Sequence, residues 1–186
     1  MTLLSRRTLF TAAATLPTVL HARNSRAGAF SVAPKLDDLK PAAPGAGTDT
    51  PEIDFQTADG ANRTLKDYLG QGVVLNFWAT WCVPCVAEMP ALARLAGLLQ
   101  GTKVAVLPLS SDRGGAAAVQ KYFTEKDLSG LPILLDPRGA AARAFGVRGI
   151  PTTILIDASG RERGRYEGAA DWSSPEAVAA VKALAS

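Results

Sequence analysis

Cysteine and histidine are nearly missing from this chain. Its 186 residues hold two cysteines, Cys82 and Cys85, and a single histidine, His21. A structural zinc site takes four ligands, and neither a second C-x-x-C nor a nearby histidine accompanies the pair. A purely structural disulfide is the weaker alternative, because a bridge between residues three apart closes too small a loop to stabilise much. Internal repeats are absent, and no apolar run reaches the roughly 20 residues that span a bilayer. Basic charge is also in short supply. The formal net charge is +3, but residues 1–29 contain Arg6, Arg7, Arg23 and Arg26 and no acidic group. The remainder carries 16 basic and 17 acidic residues, net −1. That balance gives no electrostatic case for nucleic acid or anionic lipid as a partner.

The opening segment has the layout of an export signal. Ser5-Arg6-Arg7-Thr8-Leu9-Phe10 is basic, an uncharged apolar run of about a dozen residues continues to Leu20, and Ala27-Gly28-Ala29 is a small-residue cleavage site. Cleavage after Ala29 is the first expectation, and retention of 1–29 as an N-terminal anchor is its rival. The arginine pair resembles a twin-arginine export motif, although two arginines are ordinary in any such leader. Residues 30–51 are rich in Ala, Pro, Gly and Thr without periodicity, which reads as a disordered linker. The folded domain is expected over 52–186.

Within that domain the elements mostly alternate. Ile53–Gln56 and the turn Ala58-Asp59-Gly60 predict an N-terminal β-hairpin, with Thr64 capping a helical turn that runs to Tyr68. The apolar run Val73–Trp78 predicts a buried strand. Helix Val86–Leu99, strand Lys103–Leu109, helix Gly115–Asp127, strand Ile133–Leu135 and a helical piece Ala140–Phe145 follow. Strands Thr153–Ile156 and Arg161–Glu167, joined at Ser159-Gly160, and helix Pro175–Ala185 close the chain. Pro90 is expected to kink the first helix. Strand–helix–strand units demand parallel pairing and the terminal hairpin an antiparallel one. The fold class is therefore α/β, a mixed central sheet with helices on both faces.

The two cysteines sit where the buried strand gives way to a helix, in Trp81-Cys82-Val83-Pro84-Cys85. The opening turn of a helix offers unpaired N–H groups and the positive end of the dipole. Both favour thiolate over thiol, and thiolate is the nucleophile in disulfide exchange. The second cysteine, one turn on, is placed to attack a mixed disulfide and release product. Pro84 suits the first turn, where its missing N–H costs little. Val83 and Pro84, between the cysteines, would tune the potential and pKa of the couple.

The stretch Phe77-Trp78-Ala79-Thr80-Trp81-Cys82-Val83-Pro84-Cys85-Val86-Ala87-Glu88-Met89-Pro90 resembles the active site of the thioredoxin superfamily, and its Glu-Met-Pro ending resembles the TlpA/ResA branch. Gly149-Ile150-Pro151-Thr152-Thr153, followed by Ile154-Leu155-Ile156-Asp157, matches that family's second signature. Ala170-Asp171-Trp172-Ser173-Ser174-Pro175-Glu176-Ala177 is similar to the TlpA-type ending. The resemblance covers about Pro51 to Ala185 and implies a thioredoxin-like fold without a cofactor or metal. It implies that Cys82 is the more exposed nucleophile and Cys85 the buried resolving thiol of a redox-active disulfide. Trp81 would be an apolar wall for docking partners. Pro151 would follow a cis peptide bond and cover the sulfurs, and Ile150 would offer its backbone to an extended substrate segment.

Glu88 lies three positions after Cys85, on the same helical face. The resemblance links this glutamate to the proton chemistry of the dithiol. A buried carboxylate with a raised pKa would take the proton from Cys85; the plainer alternative is a solvated helix glutamate. Ordinary thioredoxins carry a buried aspartate in the preceding strand, where this chain has Asn76. An amide cannot serve as that base, which leaves Glu88.

The function this implies is periplasmic thiol:disulfide oxidoreduction, with the protein reducing partner cysteines during assembly of cytochrome oxidase copper centres or of cytochrome c. Its partners would be disulfide-bearing proteins and a membrane thiol:disulfide electron donor, with a membrane tether through the N-terminal segment. Two alternatives share the scaffold. A thiol peroxidase would need a Pro-x-x-x-Thr-x-x-Cys loop, which is absent. A Cu(I)-binding chaperone would use C-x-x-x-C with a distant histidine, and the segment after residue 29 has neither.

Overall fold

The computed structural model describes residues 47–185; the expected signal or anchor segment 1–29, and the linker up to residue 46, lie outside the described residues. The elements run β1 (Thr48–Asp49), β2 (Asp54–Thr57), β3 (Asn62–Thr64), a 3-10 turn (Leu65–Tyr68), β4 (Gly72–Trp78), α1 (Val83–Leu98), β5 (Val104–Ser110) and α2 (Gly115–Glu125). They continue β6 (Leu134–Leu135), α3 (Ala140–Ala144), β7 (Thr152–Ile156), β8 (Arg161–Glu167), α4 (Pro175–Lys182) and a final 3-10 turn (Ala183–Ala185). One sheet takes all eight strands in the order β1-β8-β7-β4-β5-β6-β2-β3. β4, β5 and β6 pair in parallel and the remaining neighbours are antiparallel. A mixed sheet with an N-terminal hairpin is thus what folds.

β4 lies mid-sheet, and every one of its residues is buried. A strand covered on both faces reads as a continuous apolar run, which is why Val73–Trp78 was legible. Its side chains alternate between two cores. Val74 and Trp78 join the cluster built with Met89, Leu92 and Leu95 of α1, Phe123 of α2 and Val181 of α4. Val73, Leu75 and Phe77 face the opposite cluster, with Ala141 of α3, Phe145, and Ile53 and Phe55 near and within the hairpin. Helices therefore cover both faces. By this alternation Asn76 shares the face of Val74 and Trp78 and points toward α1.

Several boundaries differ from expectation for local reasons. α1 begins at Val83, not Val86, with Cys82 as its N-cap, because Pro84 is already compatible with the first turn. The helix runs on through Pro90 to Leu98. α2 stops at Glu125, just before Asp127 takes a positive φ of 52°, a conformation that a helix interior does not accept. The last helix gives way at Ala183 to the tighter 3-10 turn. The largest correction concerns the linker assigned to 30–51. Thr48 and Asp49 pair with Glu162 and Arg161, so the sheet reaches back into that stretch. Two residues are too few to show a strand period, and their partner lies more than a hundred residues away.

Gly72 opens β4 against the C-terminal turn, where an added Cβ would come within 2.7 Å of Leu184 Cβ and 3.0 Å of its carbonyl carbon. Backbone that close cannot rotate away. Gly72→Ala is expected to cost about 1–3 kcal/mol, the usual range for overpacking. Urea unfolding should show it as a lower midpoint with an unchanged slope.

Candidate active site

Cys82 and Cys85 form a disulfide across the first turn of α1, with their Cα atoms 5.2 Å apart. Cys82 caps the helix: the Cys85 N–H donates to its sulfur at 3.3 Å. The arrangement turns the free N–H groups of a sixteen-residue helix toward Cys82, which favours negative charge on that sulfur once the bond opens. Cys82 retains 6% exposure and Cys85 none, so a group arriving from solvent meets the Cys82 sulfur first. Trp81 and Val83 flank the outer sulfur and stay 69% and 76% exposed. Two large apolar side chains left in water beside the sulfur make a surface suited to an apolar partner segment. Pro84 occupies the first helical turn between the cysteines.

The loop before β7 closes the site from across the sheet. The Ile150–Pro151 bond is cis, and the Ile150 carbonyl oxygen lies 3.7 Å from Cys82 Sγ. Pro151 is buried, while Ile150 is half-buried and packs against both cores. Two segments nearly 70 residues apart thus meet at the disulfide.

Glu88 is 3% exposed. It stands in the buried stripe of α1 formed by Cys85, Met89, Leu92 and Leu95, spaced as one face of a helix. Oε1 accepts from Asn76 Nδ2 at 2.9 Å. Oε2 accepts from the Ala170 N–H at 3.0 Å and from Trp172 Nε1–H at 3.2 Å. Burial penalises the charge more than these donors support it, and the pKa is raised from 4.5 to about 7. A carboxylate has about four lone-pair sites. Both on Oε2 are occupied and one remains on Oε1, so an incoming proton has one place to land. The solvated alternative for Glu88 is overturned.

Spacing did not expose the partners of this carboxylate. Trp172 and Ala170 come from the loop before α4, more than 80 residues away, and Thr153 of β7 accepts from Asn76 Nδ2 at 2.9 Å. Asn76, inert as a base, is a donor that reaches Glu88 and Thr153 together. A second feature was also missed. Asp112, 4% exposed, follows β5 and grips Thr80 twice. It accepts from the Thr80 backbone N–H at 2.8 Å and from Thr80 Oγ1–H at 2.6 Å. Ser110 Oγ donates to the same carboxylate at 2.8 Å. The turn that presents Trp81 and Cys82 is thereby pinned to the end of β5. No sequence signal links an aspartate to a threonine 32 positions earlier. Among the described residues no three of His, Cys, Asp or Glu gather as a metal site would require.

Sheet, helix-capping disulfide and neighbouring cis proline together define a thioredoxin-like protein. Residues 46–162 match the AhpC/TSA family, and the chain belongs to it. Among relatives it is similar to the thiol-disulfide oxidoreductase ResA of Geobacillus thermodenitrificans, with 36% identity over 115 residues, 62% of this chain and 65% of that protein. The match therefore spans just under two thirds of that relative's length. Among solved structures it is similar to the exposed lipoprotein thioredoxin Etrx1 of Streptococcus pneumoniae, at 31% identity and TM-score 0.54, covering 63% of this chain and 89% of that one. A thiol:disulfide interchange protein of Chlorobium tepidum shares the fold at 24% identity and TM-score 0.60, covering 76% and 98%.

The raised pKa of Glu88 has a consequence for stability. Below pH 4.5 the folded and unfolded chains both hold the proton. Between 4.5 and about 7 the unfolded chain releases it first, so stability falls as pH rises through that window and levels above it. The full effect is about 3 kcal/mol. Urea unfolding of the disulfide form from pH 4.5 to 8 should show this slope in the wild type and not in Glu88→Gln. At the other carboxylate, Asp112→Ala leaves the Thr80 and Ser110 donors unpaired and is expected to cost about 1–3 kcal/mol, read as a lower unfolding midpoint.

Proposed function

We propose that this chain is a thiol:disulfide oxidoreductase that reduces disulfides in exported partner proteins. The observation that carries this is the Cys82–Cys85 disulfide itself, capping α1 with its outer sulfur against the Ile150 carbonyl. The name of the ResA relative supports it.

In the reduced protein, the Cys82 thiolate attacks one sulfur of the partner's disulfide. That bond breaks, one partner sulfur leaves and takes up a proton, and a Cys82–partner disulfide forms. The Ile150 backbone and the exposed Trp81 hold the partner segment during this step. Cys85 then gives its proton to the free site on Glu88 Oε1 and attacks Cys82 Sγ. The Cys82–Cys85 bond forms as the Cys82–partner bond breaks. The partner leaves reduced by two electrons, and the protein is oxidised by two. A membrane dithiol donor would restore it, because an oxidising compartment cannot.

The leader-like N-terminus supports a periplasmic setting, with segment 1–29 either removed or kept as a tether. The likeness of 170–177 to the TlpA-type ending favours partners in copper-centre assembly of cytochrome oxidase. The ResA likeness favours apocytochrome c.

Insulin reduction by the protein with an external dithiol is the direct assay. Cys82→Ser should abolish it, and Cys85→Ser should trap a mixed disulfide visible on a non-reducing gel. Glu88→Gln should slow exchange and flatten its profile across about pH 6–9. Equilibration with thiol buffers should give a potential near or below about −270 mV. A value around −120 mV would reverse the assigned direction, since it marks a protein that inserts disulfides.

A further inference from the structure

The side chain of Asn76 is fully buried on β4. Its Nδ2 donates to Glu88 Oε1 and to Thr153 Oγ1, each at 2.9 Å. Its Oδ1 is buried with no hydrogen-bond partner among the described residues. The two ends of a side-chain amide are nearly the same size and opposite in hydrogen-bonding sense, and a half-turn about the last side-chain bond exchanges them. That half-turn would leave one end unpaired either way, because the place now held by Oδ1 offers no partner. Thr153 is indifferent to it: its hydroxyl accepts from Nδ2 in one orientation and donates to Oδ1 in the other. The choice therefore rests with Glu88. An ionised Oε1 attracts an N–H and repels a carbonyl oxygen, whereas a protonated Oε1 carries an O–H that needs an acceptor.

We propose that Asn76 is a two-way positioning residue whose amide turns with the proton on Glu88, showing Nδ2 to the carboxylate and Oδ1 to the carboxylic acid. This deepens, and rests on, the assignment of Glu88 as the proton acceptor for Cys85. The proton leaves Cys85 Sγ as that sulfur attacks Cys82, and it lands on the free site of Oε1. Once Cys85 is bonded in the disulfide, its sulfur is only a weak acceptor. The O–H then passes its hydrogen bond to Asn76 Oδ1. Loss of the proton returns Nδ2 to Oε1, and no covalent bond of Asn76 changes. The carboxyl group keeps a matched partner in both charge states, so the proton is received without being trapped.

The groups that set the charge on Glu88 are few. Asn76 faces it from β4, and the Ala170 N–H and Trp172 indole face it from the loop before α4. Cys85 lies one turn away on α1, uncharged in the disulfide form. No charged side chain contributes to the shift of Glu88.

Nuclear magnetic resonance of the labelled protein in its disulfide form tests this directly. Two quantities are followed from pH 5 to 9: the Glu88 carboxyl carbon shift, and the Overhauser contacts of the two Asn76 amide protons with Glu88 and Thr153. Those contacts should be present above the Glu88 midpoint and lost below it, with the same midpoint. Glu88→Gln supplies a second arm. Ala170 and Trp172 still need an acceptor, so the new side chain must aim its carbonyl at them and its amide nitrogen at Asn76. Asn76 should then show Oδ1 to position 88 at every pH, and its amide protons should lose the contacts throughout. Contacts that persist through the Glu88 titration and in Glu88→Gln overturn the proposal while leaving the proton role of Glu88 intact. If Glu88 does not titrate in this range but the variant still turns the amide, Asn76 stands as a two-way residue and the proton role of Glu88 falls.

Discussion

A carboxylate held in the apolar stripe of α1 ties the site to the rest of the fold. Glu88 receives one hydrogen bond from mid-sheet and two from the loop before α4. It thereby joins β4, α1 and the C-terminal loop at one buried point, one helical turn from Cys85. Three donors favour the ionised form, but removal from water opposes it more strongly. The result is a group poised near neutrality, where a proton can be taken up or given back. The indole of Trp172 serves two ends here: its N–H holds Oε2, and its ring meets Tyr166 edge-on at 6.0 Å. Packing and support of the buried carboxylate are thus carried by the same side chain.

The sulfur centre is built at the N-terminus of the same helix. Capping by Cys82 aims the dipole at the outer sulfur, and the Asp112 grip on Thr80 fixes the turn leading into it. Trp81 is left in water by that turn, and the Ile150–Pro151 loop closes the far side. In the proposed exchange, stabilisation of negative charge at Cys82 and acceptance of a proton beside Cys85 would be handled by separate structures. Exchange chemistry needs both, since the first sulfur attacks as thiolate and the second must shed its proton when its turn comes.

Much of the fold was legible because its signals are local. The apolar run of β4 announces a strand covered on both faces, and the turn at Asp59-Gly60 announces the hairpin. The short strand β1 was missed, since two residues carry no period and pair with β8 across most of the chain. At the site, Cys82, Cys85, Pro84 and the nearness of Glu88 to Cys85 follow from helical spacing. Ile150 and Pro151 came from a resemblance rather than from spacing. The Thr80–Asp112 contact and the Trp172–Glu88 contact left no trace in either.

The amino-acid sequence by itself determined the chemistry available: two thiols at helix-turn distance, a carboxyl group on the same face, and an amide in the preceding strand. These depend on residue type and on periods of two or 3.6, which chain order contains. Tertiary structure decided the state of those groups. Whether Glu88 is solvated or nearly dry, what its two oxygens accept, and which end of Asn76 faces it depend on the mutual placement of β4, α1, β7 and the loop before α4. Burial and hydrogen bonding act through space at a few ångströms, and the groups concerned are separated in the chain by 12 to 84 residues.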